Sequence, residues 1–299
     1  MILVFGGNGQ LGQELSRAAA AQAIRLRALA RTEADIADAA AVADVMARCK
    51  PDLVVNAAAY TKVDLAESQI DEARLGNEIG PATLAAACAS AGVPLVHVST
   101  DYVFDGTKDG AYLEGDPVCP LSVYGKTKAA GEEAVRRAHK HHVILRTAWV
   151  YSEFGHNFLK TVLRLAQTRD ELRIVADQHG SPTSAREIAQ AILYLAPLLL
   201  SDRSLAGTYH FTAGGLTTWH GFASRIVAAA APVTARNPRV IAIGTADYAT
   251  PARRPVNSQL DSRLFERNFG YTARHWTEGV DATTRTLVGA AQPAESHVA

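Results

Sequence analysis

The 299-residue chain carries 30 lysines and arginines against 30 aspartates and glutamates, so its formal net charge is zero, and 48% of it is hydrophobic. The balanced charge argues against a general nucleic-acid or membrane-surface binder, while the hydrophobic content is enough for a large buried core. The three cysteines are widely spaced, which suits a reducing compartment. No apolar stretch reaches membrane-span length, and no signal peptide precedes the first motif. We therefore expect a cytoplasmic protein.

Apolar runs typical of buried strands alternate with helical segments through the first half of the chain. Strands are predicted at residues 2–5, 25–30, 52–56, 95–99 and 143–147, and helices at 11–21, 39–49, 81–90 and 124–140. Helices between consecutive strands place those strands parallel in one sheet, with right-handed crossovers. The pattern therefore predicts an α/β fold, a doubly wound parallel sheet of the Rossmann type.

The rhythm of the elements changes after Trp149. Helices are predicted at 158–167, 186–200 and 218–231, and a strand at 208–212. We interpret residues 1–148 as a cofactor-binding domain, to which the chain partly returns within about 180–215, and residues 149–290 as mainly a smaller substrate lobe. The small and polar residues 291–299 are expected to form a frayed tail.

Three glycines separate the first predicted strand from the first predicted helix. Gly6, Gly9 and Gly12 have the spacing G-x-x-G-x-x-G. Because glycines lack Cβ atoms, backbone N–H groups and the positive end of a helix can approach a pyrophosphate, so this arrangement predicts a dinucleotide site. The cofactor-binding residues expected in this loop are Gly6, Asn8, Gly9, Gln10, Leu11 and Gly12.

Ribose selectivity is expected at the end of the second strand, about twenty residues further on, where an acid favours NAD. This chain has Arg31 there, which favours a 2′-phosphate and hence NADPH; NADH and a merely solvated arginine stay as alternatives. Asp35 and Ile36 are expected to flank the adenine. The small residues after the third strand leave room for the cofactor, in the turn formed by Ala57, Ala58, Ala59 and Tyr60.

A predicted helix places Tyr124 and Lys128 on one face. Residues four apart lie about 40° apart and one turn along the axis, so both side chains can meet one ligand. A free phenol titrates near pH 10, and a nearby cation is expected to lower that pKa and make Tyr124 an effective proton donor. The spacing alone is a weak signal, because a surface helix produces it by chance.

A hydroxyl group is predicted at the same edge of the sheet. Thr100 directly follows the fourth strand, and ligands of open α/β sheets collect at the carboxyl ends of strands. Beside a nicotinamide, Thr100 would orient a carbonyl oxygen, Tyr124 would pass the proton, and Lys128 would hold the ribose. This combination predicts carbonyl–alcohol hydride exchange.

With these motifs the chain resembles the extended short-chain dehydrogenase/reductases, and most of all the dTDP-4-dehydrorhamnose reductase family. The resemblance covers about residues 1 to 285, and its most specific segments are 98–106 and the Arg-Pro-x-Asn-Ser stretch at 254–258. Other matching segments are 9–12, 55–61, 63–64 with 66–67, 124–128, 146–151 and 180–183. The resemblance implies NADPH-dependent reduction of the C4 ketone of dTDP-4-dehydro-L-rhamnose to dTDP-L-rhamnose.

The resemblance also implies roles for individual residues. Thr100, Tyr124 and Lys128 would be catalytic. Trp149 would form a flat wall for the hexulose ring, with a core tryptophan as the structural alternative, and Asp101 would either contact the sugar or cap a turn. The substrate residues expected on this basis are Thr100, Asp101, Tyr102, Tyr124, Trp149, Asn157, Arg254 and Asn257, the last three toward the nucleotide end.

Charged and histidine-rich positions raise the question of a metal. Some relatives join two subunits through Mg2+ held by surface carboxylates; Glu14 matches one such position, but Arg186 stands where another acid is expected. An ordinary surface charge at Glu14 is therefore favoured, and a homodimer stays open. The histidines within 139–142 are expected at a solvated helix end, and His97 as a buried, hydrogen-bonded residue.

Two other functions remain open on the sequence. The first is another nucleotide-sugar enzyme of the same superfamily, such as an epimerase or dehydratase, which would keep oxidised cofactor tightly bound. The second is a non-enzymatic partner protein, because the regulatory β subunit of methionine adenosyltransferase resembles the same reductases. The complete Thr100, Tyr124 and Lys128 set favours an enzyme.

Overall fold

The computed structural model describes residues 1–290, and its centre is a six-stranded parallel sheet. The strands are β1 (Ile2–Phe5), β2 (Leu26–Leu29), β3 (Leu53–Asn56), β4 (Leu95–Thr100), β5 (His142–Thr147), β6 (Val150–Tyr151), β7 (Glu171–Val175), β8 (His179–Gly180), β9 (Thr183–Ser184), β10 (Gly207–His210), β11 (Thr217–Thr218) and β12 (Arg239–Ile243). The central sheet has the order β2-β1-β3-β4-β5-β10, and the remaining strands form the pairs β6–β9, β7–β12 and β8–β11.

Helices cover both faces of this sheet and build the smaller lobe. They are α1 (Gln10–Ala21), α2 (Ala39–Cys49), α3 (Val63–Ala66), α4 (Ile70–Arg74), α5 (Gly80–Ala91), α6 (Val123–Ala138), α7 (Phe158–Thr168), α8 (Ala185–Ser201), α9 (Trp219–Thr234), α10 (Arg263–Phe269) and α11 (Trp276–Ala290). A π-helical turn, Leu75–Ile79, leads from α4 into α5.

Side chains alternate along β1, which explains why helices pack on both faces of the central sheet. Val4 packs in one buried cluster with Leu15 of α1 and Ile192 of α8. Leu3 points to the opposite face and packs with Leu84 of α5. A strand that is buried on both faces requires a continuous apolar run, as the sequence has it. The predicted doubly wound α/β fold is confirmed.

The strand order reverses between β1 and β3. The chain first passes from β1 outward to β2 and then crosses to β3, from which β4, β5 and β10 follow in order. Ligands of such sheets bind in the crevice outside the carboxyl ends of the strands at this reversal. The glycine loop after β1, the alanine turn after β3 and Thr100 at the end of β4 all lie along this edge.

The smaller lobe has a core of its own around α7, α9 and α11. Leu159, Phe222, Ile226 and Val280 are buried together there. The parallel pair β7–β12, together with α10 and α11, was not predicted; β12 has a short apolar run after Arg239, but the strand is largely exposed. Strand β10 lies in the central sheet beside β5, while the domain boundary at residue 148 stays a prediction.

The expected tail, residues 291–299, lies outside the described residues. Within residues 1–290, no helix combines the length and the apolar character that crossing a membrane would require.

The helix end expected at residues 139–142 is confirmed and Lys140 is exposed, but the expected solvation is wrong for His139 and His142. The ring of His139 is buried and donates to the carbonyl oxygen of Val93 at 2.9 Å, and His142 is buried and bonds to the carbonyl of His139. Burial lowers the pKa of both rings, so they act as neutral hydrogen-bonding groups. His97 is buried as expected, with its Nδ1 3.0 Å from Nδ2 of Asn56.

Candidate active site

Two glycines of the loop after β1 are required by close packing. Gly6 has φ +91°, and a Cβ there would lie 2.6 Å from the backbone nitrogen of Ala58. A Cβ at Gly12 would lie 2.3 Å from the carbonyl oxygen of Gly6. These glycines therefore let α1 and the turn after β3 approach the loop, which any side chain would prevent.

Gly9 differs from these two because it is exposed and a Cβ there would meet a single neighbouring atom. Its absent Cβ would meet only the carbonyl oxygen of Gly6, at 3.2 Å, and Gly9 caps α1 without any side-chain hydrogen bond to the first turn. The first backbone N–H groups of a helix need acceptors, and an anion satisfies them. The uncapped start of α1 therefore fits a pyrophosphate, with exposed Asn8 and half-buried Gln10 beside it and Leu11 buried below.

Arg31 extends into solvent at the end of β2. Its side chain is 81% exposed, and its Nε donates to Asp35 at 2.8 Å, which leaves the terminal nitrogens free for a phosphate. Ile36 is buried in the core beside Leu84, so only part of its surface can face an adenine. The arrangement fits the expected 2′-phosphate contact of Arg31.

The turn after β3 is fixed by a buried amide that the sequence analysis did not single out. Asn77, in the π-helical turn, accepts from the backbone nitrogen of Tyr60 at 2.9 Å and donates to its carbonyl oxygen at 3.0 Å. The same amide donates to Thr127 of α6 at 3.2 Å. Ala57, Ala58 and Ala59 thus form a small-residue floor that is tied to the helix carrying Tyr124 and Lys128.

The three catalytic candidates meet at the end of β4. The hydroxyl of Thr100 donates to Asp101 at 2.9 Å and lies close enough to the phenol of Tyr124 to influence its pKa. Lys128 is buried, and its ammonium donates to the carbonyl oxygen of Val98 at 2.7 Å. An ammonium has three donors, so two remain for the hydroxyls of a ribose.

The expected lowering of the Tyr124 pKa is not what the structure shows. Burial raises the pKa of Tyr124 to about 12, although its hydrogen bond with Thr100 acts in the opposite direction. Burial also lowers the pKa of Lys128 to about 8, against the negative charge of Glu132. Desolvation thus outweighs the attraction to neighbouring charges, and Tyr124 is a neutral phenol that holds the proton a reduction needs.

Asp101 and Tyr102 follow Thr100 in a short 3₁₀ turn. Burial raises the pKa of Asp101 to about 6, opposed by hydrogen bonds from Ser258 and Thr100. The ring of Tyr102 lies edge-on to that of Tyr124, with centroids 5.7 Å apart. Both residues are therefore next to the catalytic candidates, whichever contact they make with a sugar.

Trp149 is held between two neighbours and has little free surface. Its indole stacks on Trp219 with centroids 3.7 Å apart, and a Cβ at Gly180 would lie 2.5 Å from its Cε2. Its backbone has φ +49°, a conformation rare outside glycine, and the side chain is 9% exposed. The indole offers only a small part of its surface to a sugar, and its role as a wall for the hexulose ring stays a prediction.

The residues expected at the nucleotide end already have partners within the protein. The amide of Asn257 donates to the carbonyl oxygens of Lys108 and Gly110, and that of Asn157 donates to Gln10 at 2.9 Å. Arg254 forms two hydrogen bonds with Asp64, at 3.0 and 2.8 Å. Of these three candidates, Arg254 keeps a charge suited to a diphosphate; the two amides hold loops.

Glu14 is not an ordinary surface charge, and that interpretation is wrong. Its carboxylate is 1% exposed and accepts from Arg17 at 2.5 Å and from the hydroxyl of Ser152 at 2.7 Å. Among residues 1–290, no group of three or more His, Cys, Asp or Glu side chains is placed to hold a metal. The carboxylate fixes α1 against the segment that follows β6.

A buried charged cluster lies behind Lys128, and sequence reasoning gave it no role. Glu132 accepts two bonds from Arg146, at 2.9 and 2.7 Å, one from Arg136 at 2.7 Å and one from Ser99 at 2.6 Å. Ser99 precedes Thr100, so this carboxylate joins α6 to the ends of β4 and β5. The available signal was an acid four residues after Lys128 on one helix face.

Comparisons with known proteins agree with this geometry. The family described as the RmlD substrate binding domain matches residues 1–288. The chain is 45% identical to a dTDP-4-dehydrorhamnose reductase of Sinorhizobium fredii, covering 97% of each protein, and 41% identical to that of Salmonella typhimurium, covering 93% of this chain and 95% of the relative.

Solved structures of dTDP-4-dehydrorhamnose reductases are also similar to this chain. A dTDP-4-dehydrorhamnose reductase from Clostridium acetobutylicum is 37% identical with a TM-score of 0.89, covering 96% of this chain and 99% of that one. The Bacillus anthracis reductase, solved in complex with NADP, is 33% identical with a TM-score of 0.88, covering 94% and 97%. The chain therefore belongs to the RmlD substrate binding domain family.

Proposed function

We propose that this protein reduces the C4 ketone of dTDP-4-dehydro-L-rhamnose with NADPH and releases dTDP-L-rhamnose, acting in the cytoplasm. The relatives that match it along nearly their whole length are named for this reaction. The observation that carries the proposal is the proximity of the Thr100 hydroxyl to the Tyr124 phenol at the end of β4, with Lys128 on the same helix as the phenol.

The cofactor is held by the chain from three directions. The uncapped start of α1 receives the pyrophosphate, Arg31 the 2′-phosphate, and Lys128 the ribose beside the nicotinamide. When bound, NADPH supplies the hydride for the C4 carbon. NADPH is preferred over NADH because Arg31 stands where an acid would favour NAD.

Two hydroxyl groups act on the ketone oxygen. Tyr124, a neutral phenol whose pKa is raised by burial, gives its proton to the alkoxide that develops there. Thr100 turns its single O–H from Asp101 to the same oxygen and so orients the carbonyl. The transfer leaves Tyr124 as a phenolate, which burial disfavours in the ligand-free site. The positive charge of Lys128 stabilises this phenolate.

Recognition of the remote nucleotide orients the sugar. Arg254 offers a planar guanidinium to the diphosphate, whose oxygens match its paired donors. Binding energy from that end fixes C4 at the site, so truncated sugars react poorly.

The test is steady-state oxidation of NADPH and of NADH with dTDP-4-dehydrorhamnose, beside UDP- and GDP-linked keto sugars. The proposal expects the highest kcat/KM with NADPH and the dTDP sugar. Stoichiometric NAD⁺ in the purified protein would instead favour an epimerase, and absence of turnover with every sugar would favour a non-enzymatic partner.

An Arg31→Ala variant tests the cofactor assignment separately. Losing the guanidinium is expected to lower the preference for NADPH over NADH about tenfold, equivalent to one charge-assisted hydrogen bond. Lys62→Ala, at another exposed position, serves as the control and should leave the preference unchanged. An Arg31→Ala enzyme with the wild-type preference would contradict the assigned 2′-phosphate contact.

A further inference from the structure

The short helix α3 and the residue after it belong to a motif that the catalytic description leaves unused. Asp64 and Glu67 lie three positions apart, so their side chains leave neighbouring parts of one short helical segment. Neither carboxylate is part of the cofactor loop or of the Thr100, Tyr124 and Lys128 set. Each is bonded to a different element of the site.

Asp64 holds the loop that carries Arg254. Its two oxygens accept from the two terminal nitrogens of Arg254 at 3.0 and 2.8 Å, and one oxygen also accepts from the backbone nitrogen of Ala252 at 3.3 Å. The side chains are 40% and 21% exposed, so solvent screens their attraction. The paired geometry and the backbone contact still fix where the loop lies.

Glu67 holds the start of the catalytic helix. Its carboxylate accepts from the backbone nitrogen of Val123 at 2.8 Å, and Val123 is the first residue of α6 and the neighbour of Tyr124. The N-cap Ser122 already serves the nitrogen of Gly125, so the N–H of Val123 needs this second acceptor. A negative group at a helix N-terminus is also favoured by the helix dipole.

The two attachments close a ring of contacts. The charge of Arg254 is close enough to Tyr102 to act on its pKa, and the ring of Tyr102 lies edge-on to Tyr124, whose helix returns to Glu67. The Arg254 loop and the catalytic helix are therefore connected both directly and through α3. A shift of one should move the other.

We infer that Asp64 and Glu67 are positioning residues that act as one unit, the α3 bracket, which keeps the Arg254 loop and Tyr124 in a fixed mutual position. Asp64 fixes the position of the Arg254 guanidinium, and Glu67 fixes the start of α6 and thereby the position of the Tyr124 phenol. For turnover, this role rests on the proposed reductase function; the structural part of the inference does not.

The primary test is amide hydrogen exchange in the full-length protein, which needs no substrate. Glu67→Ala is expected to raise the exchange rate of the Val123 amide about tenfold or more, since a hydrogen bond to a charged group is lost. Glu67→Gln keeps an acceptor and should restore most of the protection. Glu72→Ala, exposed on α4, is the matched control and should leave Val123 unchanged.

Asp64→Ala tests whether the bracket is one unit. It should raise the exchange rate of the Ala252 amide about tenfold and that of Val123 about twofold, because α3 loses its attachment to the loop. If Val123 does not respond to Asp64→Ala, the two contacts are independent and the inference is overturned. Unchanged protection of Val123 in Glu67→Ala would overturn it as well.

Kinetics supply the second readout. Asp64→Ala should raise the KM for the dTDP sugar about tenfold at nearly constant kcat, and Glu67→Ala should lower kcat about tenfold with KM and NADPH affinity within twofold. The opposite split would overturn the roles. A wild-type protein without turnover would reject the proposed function instead, and the exchange measurements would still decide the bracket.

Discussion

Two carboxylate–guanidinium pairs, each joined by two hydrogen bonds, hold the site, one inside the protein and one at its edge. Arg146 binds Glu132 through two hydrogen bonds, and both side chains are 1% exposed. Arg254 also binds Asp64 through two hydrogen bonds, from its two terminal nitrogens, but the two side chains are 21% and 40% exposed. Both pairs have two hydrogen bonds, so the number of bonds does not distinguish them. Burial decides whether such a pair stabilises the protein or remains available to a ligand.

The inner pair is part of a fully bonded cluster. Glu132 also accepts from Arg136 and Ser99, and removal of its charge would leave the buried guanidinium of Arg146 without compensation. At the outer pair, solvent can replace either partner, and a diphosphate can compete for Arg254.

The largest effect is expected from Glu132→Gln. A neutral amide cannot balance the buried guanidinium of Arg146, so the free energy of unfolding should fall by about 3–5 kcal/mol. Urea denaturation measures this loss. Glu133→Gln on the exposed side of the same helix is the control and should cost less than about 1 kcal/mol. Equal, small losses in the two variants would show that the inner pair is not the stabilising one.

The pH dependence of stability should reveal Lys128, which lies beside the inner pair. Its folded-state pKa is about 8, below its ordinary value of 10.5, so the unfolded chain binds more protons between these values. Stability from this group therefore rises with pH across that window, by on the order of 3 kcal/mol, and is absent below it. Denaturation of the ligand-free protein at pH 7 and at higher pH measures the rise.

A variant isolates that contribution from other groups that titrate in the same window. Lys128→Met should remove the rise, whereas Lys126→Met, an exposed neighbour on the same helix, should keep it. If the slope of stability against pH survives in Lys128→Met, the ammonium of Lys128 is not desolvated as the structure indicates.

The smallest effect is expected at the outer pair. Asp64→Asn should change the free energy of unfolding by less than about 1 kcal/mol, because both partners can be hydrated. The measurement is the same urea titration used for Glu132→Gln. A loss as large as that of the inner pair would erase the distinction between the two regions.

Sequence reasoning was strongest where a short pattern suffices. The buried strands β1 and β3 are apolar runs, and the glycine loop between β1 and α1 follows from its spacing. The common face of Tyr124 and Lys128 follows from helix geometry alone. These features are local, so no knowledge of the folded chain was needed.

The long-range contacts of the site and the directions of its pKa shifts could be found only from the folded structure. Asp64 and Arg254 are 190 positions apart, and no spacing predicts that they pair. The direction of the Tyr124 pKa depends on whether burial or a nearby charge prevails, which is a matter of distances in the folded protein. Asn157 and Asn257 looked like ligand contacts by position, but each amide satisfies backbone or loop groups of its own chain.

The central claim is that Tyr124 supplies the proton to the ketone oxygen, and Tyr124→Phe tests it most directly. With NADPH and dTDP-4-dehydrorhamnose, kcat/KM should fall by roughly 10²–10⁴-fold, the usual contribution of a general acid, while NADPH affinity stays within about threefold. Turnover of the phenylalanine variant near the wild-type rate would contradict the account.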